Sequence, residues 1–210
     1  MDIAIIGAGN VGRALASSFV SAGHAATLSS AHPETARAAA ADSGAKAADS
    51  NATAAAAADV VVLAAPYPAL PQILDELGDG LRGKVVIDAT NPLRADYMGL
   101  ATEGTSGAEE IQARTPGAPV IKAFNYALAA RQTDPSVDGV PIDAFVAGDD
   151  EQAKSTVLDL ARSIGFRPID AGPLEMARAL EAMALLNITL NMRNGWPWQS
   201  AWKLVGQTAA

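Results

Sequence analysis

The sequence predicts an open, doubly wound α/β fold: a mostly parallel sheet covered by helices on both faces, closed by a short C-terminal helical cap. Three observations carry this. Short apolar runs alternate with segments of helical composition through the first 170 residues, as repeated strand–helix units require. Most of those runs are continuously hydrophobic rather than alternating, the mark of parallel strands buried on both sides. Beyond residue 170 the strand runs stop and one long helical period begins. A division follows, with residues 1–170 as the main domain and residues 171–210 as a cap on the same compact unit.

In chain order, strands are expected at residues 3–6, 25–28, 60–64, 85–87, 120–124 and 144–147, with a further strand-like piece at 167–169. Helices are expected between them at 11–22, 33–43, 69–77, 108–115 and 151–164, several opened by proline or acidic residues that suit a helix N-terminus. The alanine tracts at 38–41 and 54–58 read as surface helix and its exit, since alanine is the best helix former. Asp149 and Asp150 resemble a metal loop in isolation, but their place at a helix start favours capping of free N–H groups. In the last helix, Leu174, Ala177, Leu180 (or Glu181), Ala184 and Ile188 fall on one face, and Gly195-Trp196-Pro197-Trp198 stops it. Trp196, Trp198 and Trp202 are expected in core or subunit-interface packing rather than as a ligand shelf, with a homodimer formed through that end.

Composition removes several function classes. Half of the 210 residues are hydrophobic and the formal net charge is -8, so no attractive field exists for nucleic acid or an anionic membrane. There are no cysteines and only two histidines, His24 and His32, which excludes disulfides and cysteine nucleophiles and leaves no metal site expected. The start, Met1-Asp2-Ile3-Ala4-Ile5-Ile6, lacks the basic segment and long apolar stretch of an export signal, so a cytoplasmic location is expected. The stretch 183–192 is interrupted by Asn187, Thr189 and Asn191 and reads as a core helix, not a membrane span.

The most specific segment is Ile3-Ala4-Ile5-Ile6-Gly7-Ala8-Gly9-Asn10-Val11-Gly12, a strand running into G-x-G-x-x-G and then a helix. Gly7 permits the tight turn, Gly9 lets the backbone approach a pyrophosphate, and Gly12 allows close helix–strand packing. The helix N-terminus, with Asn10 and Val11 in its first turn, offers free N–H groups to that anion. A Rossmann-type dinucleotide site follows. In NAD binders an acid at the end of the second strand bonds the ribose. Here the sequence reads Leu28-Ser29-Ser30-Ala31-His32, which favours NADP, with Ser29, Ser30 and His32 either gripping its 2′-phosphate or acting as turn and loop residues. Ala65, Pro66 and Tyr67 end a second strand on the ligand side, and Asn91 follows a third; Asp88 and Asn91 are weighed chiefly as loop-holding residues.

Together with Val120-Ile121-Lys122-Ala123-Phe124-Asn125, Val146-Ala147-Gly148-Asp149-Asp150 and Asp170-Ala171-Gly172-Pro173-Leu174, these segments resemble the deazaflavin (coenzyme F420)-dependent NADP oxidoreductase family over nearly the whole chain. The resemblance implies direct hydride transfer between NADPH and a deazaflavin co-substrate, with no obligatory catalytic side chain. It also implies that the loop Phe124-Asn125-Tyr126-Ala127 and the cap line the acceptor pocket, with Asn125 as the foremost polar contact. Two departures stand out. Tyr126 replaces a small hydroxyl residue, and Ala31-His32 replaces a serine–arginine phosphate grip. Two other readings remain open. One is an NADP-dependent reductase of a carbonyl, imine or metal chelate, for which Lys122, Asn125 or Tyr126 would supply the proton. The other is a non-catalytic NADP(H) sensor.

Overall fold

The computed structural model describes residues 1–206. Its elements, in chain order, are β1 (Asp2–Ile6), α1 (Asn10–Ser21), β2 (Ala25–Ser29), α2 (Pro33–Ser43), β3 (Lys46–Ala47), α3 (Asn51–Ala56), β4 (Val60–Leu63), α4 (Leu70–Leu77), β5 (Val85–Asp88) and α5 (Gly107–Arg114). They continue with β6 (Val120–Lys122), α6 (Ala129–Thr133), β7 (Ser136–Val137), β8 (Val140–Pro141), β9 (Asp143–Gly148), α7 (Glu151–Ser163), β10 (Arg167–Gly172) and α8 (Ala177–Asn194). The main sheet runs β10-β9-β6-β5-β4-β1-β2-β3 and is parallel except where β6 meets β9.

The continuous apolar runs divide by strand periodicity onto the two faces. Ile3, Ile5, Val60, Val62, Ile87 and Ile121 pack under α1, α2 and α7, while Ala4, Ile6, Val61, Leu63, Val86 and Val120 pack under α3, α4 and α5. Helix ends follow local chemistry. Pro33 opens α2 and Gly44, at φ 75°, closes it in the left-handed conformation. Ser50, Ser106 and Asp150 cap α3, α5 and α7 by accepting from Thr53, Glu109 and Ala153 N–H groups. Asp150 thus has the capping role expected of it, whereas Asp149 accepts from Leu174 N–H at 2.9 Å and ties the start of the cap to the sheet.

Several expectations change. Ala54, Ala55 and Ala58 are buried rather than on the surface, because small side chains let α3 lie close against β1. β6 ends at Lys122, short of residue 124, because Phe124 takes φ 64° and turns the chain; its ring is held edge-on to Phe19 with centroids 6.2 Å apart. Two short strands, β7 and β8, form a hairpin about Asp138-Gly139, both at positive φ as a tight hairpin turn requires. On α8 the buried stripe passes through Leu180, Glu181, Ala184, Asn187 and Asn191, leaving Ile188 only half-buried. Trp202 packs on the Tyr126 cluster, while Trp196 and Trp198 stay exposed.

The tail is fixed by charge. Buried Asp143, at the start of β9, accepts from Arg167 Nε at 2.6 Å and Nη2 at 2.7 Å, from Lys203 Nζ at 3.1 Å and from Leu204 N–H at 2.6 Å. Burial raises the Asp143 carboxyl pKa, but these bonds outweigh it and hold the group below its ordinary range. No helix among the described residues is long and apolar enough to cross a membrane.

Candidate active site

The strand order reverses between β1 and β4, where chains leaving adjacent strands diverge to opposite faces and open a crevice at the carboxyl ends. The β1–α1 turn forms one wall. Gly7 sits at φ 120°, and a Cβ there would lie 2.6 Å from the Ala64 carbonyl. A Cβ on Gly12 would lie 1.9 Å from the Gly7 carbonyl oxygen, so helix and strand approach as closely as backbone allows. Gly9 differs: its Cβ would meet nothing within 4 Å among the described residues, so it faces open space.

That space lies over a bare helix end. Among the described residues α1 has no side-chain cap, whereas α3, α5 and α7 are capped, and its first turn holds no acid. Its first N–H groups and the positive end of its dipole are therefore available to an anion. Asn10 is exposed and Val11 half-buried at this end.

Along the rim, β2 ends without a carboxylate. Ser29 is fully buried and donates to Asn51 Oδ1 at 2.8 Å, so its hydroxyl hydrogen is already engaged. Ser30 is half-buried and its Oγ accepts from the His32 N–H at 3.3 Å. The His32 ring is exposed, with Nδ1 3.8 Å from the Glu34 carboxylate.

Across the crevice, Ala65 is half-buried and Pro66 exposed after β4; Tyr67, also half-buried, donates its hydroxyl hydrogen to Glu110. Burial first, then that bond and the negative charges of Glu110, Glu181 and Asp88, push the Tyr67 pKa well above its ordinary value. Asn91 and Asn125 clasp each other. Asn91 Nδ2 donates to the Asn125 carbonyl at 2.7 Å, and Asn125 Nδ2 donates to Asn91 Oδ1 at 2.9 Å and to the Leu180 carbonyl at 3.0 Å. Phe124, at φ 64°, turns the chain between β6 and Asn125. Among the described residues Asn125 Oδ1 is buried without a hydrogen-bond partner, a state that costs roughly 1–3 kcal/mol unless a ligand donates to it.

Beneath the rim lies a group whose members the sequence named one by one but did not bring together. Lys122 Nζ donates to Asp88 Oδ2 at 2.7 Å, to Glu181 Oε1 at 2.8 Å and to the Thr90 carbonyl at 2.8 Å. All three charged side chains are fully buried. Asp88 Oδ1 also accepts from the Thr90 N–H and hydroxyl, the loop-holding role expected of it. Glu181 Oε2 accepts from the Gly107 N–H at 3.2 Å. Burial raises the Glu181 pKa, opposed by the Lys122 ammonium and reinforced by the Asp88 charge. The available signal was a lysine ending one buried strand, an aspartate ending its neighbour, and a glutamate on the apolar stripe of α8.

Tyr126 turns away from the crevice. Its hydroxyl donates to the Asp143 carbonyl at 2.8 Å and accepts from the Phe145 N–H. Burial, its largest influence, raises its pKa far above that of a free phenol.

A family model described as NADP oxidoreductase coenzyme F420-dependent matches residues 2–92. The F420-dependent NADP reductase of Methanothermobacter thermautotrophicus is 36% identical over 211 residues, covering 92% of this chain and 90% of that protein. Metalloreductase STEAP3 of Rattus norvegicus is 32% identical over 184 residues, covering 87% of this chain but only 36% of its own length. A crystal structure from Arthrobacter sp. fb24, described as a candidate F420-dependent NADP-reductase, superposes with a TM-score of 0.88 at 29% identity, covering 98% of this chain and 100% of that one. A Rossmann sheet, a bare helix end at the crevice and relatives of this kind over nearly the full length place the chain in the coenzyme F420-dependent NADP oxidoreductase family, as an NADP-dependent oxidoreductase.

Proposed function

We propose that the protein transfers hydride directly between NADPH and the central ring of coenzyme F420 or a flavin-like acceptor. The observation that carries this reading is the state of the side chains that a carbonyl or imine reduction would recruit. Lys122 is sealed among three acceptors, and the Tyr126 hydroxyl is locked to β9. Neither faces the crevice with a proton to give. A ring acceptor needs no such donor, because its reduced ring nitrogen can take a proton from water, so positioning and electrostatics suffice.

In this reading the pyrophosphate rests on the α1 N-terminus at Gly7, Gly9, Asn10, Val11 and Gly12. The 2′-phosphate lies by Ser30 and His32, with Ser29 shaping the end of β2. The nicotinamide extends past Ala65, Pro66 and Tyr67 toward Asn91 and Asn125. The unpartnered Asn125 Oδ1 accepts from an N–H of the bound rings, either the carboxamide or the acceptor. Residues 1–170 hold the dinucleotide and residues 171–210 cap the acceptor; of the latter, 207–210 lie outside the described residues. Leu186, Met192, Trp196 and Trp198 are exposed along α8 and just beyond it, which supports a homodimer through that end. The proposed setting is the cytoplasm.

A second reading, reduction of a metal chelate, rests on the similarity to the rat metalloreductase. The test offers NADPH or NADH with the deazaflavin, FMN, FAD, riboflavin or a ferric chelate, and follows nicotinamide absorbance. Rapid oxidation of NADPH by the deazaflavin or a flavin is the expected result. Oxidation by the ferric chelate alone moves the assignment to the second reading, and equal rates with NADH contradict the role given to Ser30 and His32.

A further inference from the structure

Ile6, Leu63, Asp88 and Lys122 are successive partners across β1, β4, β5 and β6, so they form one row on one face at the carboxyl rim of the sheet. The row is apolar on the β1 and β4 side and becomes fully charged in β5 and β6. The sheet does not need charge for its packing there, because the same face is filled by Leu63 on the adjacent strand and Ile6 on the one beyond it. Buried ion pairs are costly relative to apolar packing. This one is also unbalanced, holding two carboxylates, Asp88 and Glu181, against the single Lys122 ammonium. Gly107 N–H and Thr90 supply neutral dipoles.

We propose that the Asp88–Lys122–Glu181 cluster is an electrostatic positioning element: its excess carboxylate favours the oxidised, cationic nicotinamide and so promotes departure of hydride from NADPH. The inference rests on the reading that the nicotinamide lies over the carboxyl ends of β4, β5 and β6. In the step concerned, the C4–H bond of the dihydronicotinamide breaks and hydride carries both electrons to the ring acceptor. The nicotinamide gains one positive charge, and a ring nitrogen of the acceptor takes a proton from water. A net negative charge held in a dry site beneath the ring acts on the state after transfer and not on the neutral ring before it.

The measurement is the ratio of dissociation constants for NADP+ and NADPH, taken at pH 8. Glu181→Gln and, separately, Asp88→Asn bring the cluster to neutrality, while Glu181→Asp keeps its charge and alters its packing. The neutralised variants are expected to weaken NADP+ relative to NADPH by roughly tenfold. Glu181→Asp is expected to keep the wild-type ratio even where both affinities fall. A purely structural role moves both nucleotides together, so an unchanged ratio in whichever neutralised variant folds overturns the proposal. Failure of the wild-type protein to bind either nucleotide would instead defeat the functional reading on which it rests.

Discussion

Gly9→Ala separates the fold's use of glycine from the ligand's. Gly9 has φ -75° and ψ -170°, an ordinary extended conformation, and its new Cβ would project into open space. Two small effects on stability oppose each other: alanine is a poorer N-cap than glycine by up to about 1 kcal/mol, and the stiffer unfolded chain returns about 0.4–1 kcal/mol. The net change is within about 0.5 kcal/mol, a melting shift of roughly 2 °C at this chain length. Binding behaves differently. The Cβ occupies the approach of the pyrophosphate to the bare α1 N-terminus, and loss of one charge-assisted hydrogen bond there costs about 1.5–3 kcal/mol. NADPH affinity, measured by fluorescence titration, is expected to fall by about 10- to 100-fold while the melting temperature stays within about 2 °C of wild type. Gly12→Ala is the counterpart. Its Cβ would strike the Gly7 carbonyl oxygen at 1.9 Å, so stability itself drops by about 1–3 kcal/mol or more. Wild-type NADPH affinity in a stable Gly9→Ala protein would refute the placement of the pyrophosphate.

Other substitutions address other parts of the account. Ser30→Asp restores a carboxylate at the end of β2, repelling a 2′-phosphate and bonding a free ribose. The preference for NADPH over NADH in parallel titrations should shrink by roughly tenfold, about 1.4 kcal/mol. Tyr126→Phe removes bonds to β9 while leaving the crevice untouched; it should cost about 1–2 kcal/mol in denaturant unfolding and leave the hydride-transfer rate near wild type. A large rate loss in a stable Tyr126→Phe protein would return the proton-donor reading. Asp143→Asn frees the tail and should cost about 2 kcal/mol at pH 7, toward the low end for charge-assisted bonds because Arg167 and Lys203 can partly rehydrate. The Asp143 carboxyl is held below its ordinary range, so its contribution is full above the unfolded value near pH 4 and is lost as pH falls through the folded one. The melting gap between wild type and Asp143→Asn should therefore narrow from pH 7 to about pH 3.

What the sequence revealed, and what it hid, follows from the range of the interactions. The β1 turn was legible because Gly12 answers to chain a few residues away and Gly7 to the strand beside it. Helix starts were legible for the same reason. β6 was drawn too long because Phe124 is apolar and strand-like in type, yet packing against Phe19 and Phe166 holds it at positive φ. Ser29 was available as a ligand contact on composition alone; its burial against Asn51, 22 residues on, is a tertiary fact. The charged cluster joins residues 34 and 59 positions apart, and no local period announces it. The departure at Tyr126 was visible, but its meaning depended on β9 lying alongside.

The central claim is direct transfer of hydride between two bound rings without a protein intermediary. Its most direct test is the fate of deuterium carried at C4 of NADPH, in each of the two stereospecifically labelled forms, when the deazaflavin is reduced. The account predicts that one form delivers its label quantitatively to the reduced deazaflavin ring and the other retains it on NADP+. Appearance of the label in water from the reactive position, or no reduction of any ring acceptor by NADPH, would contradict it.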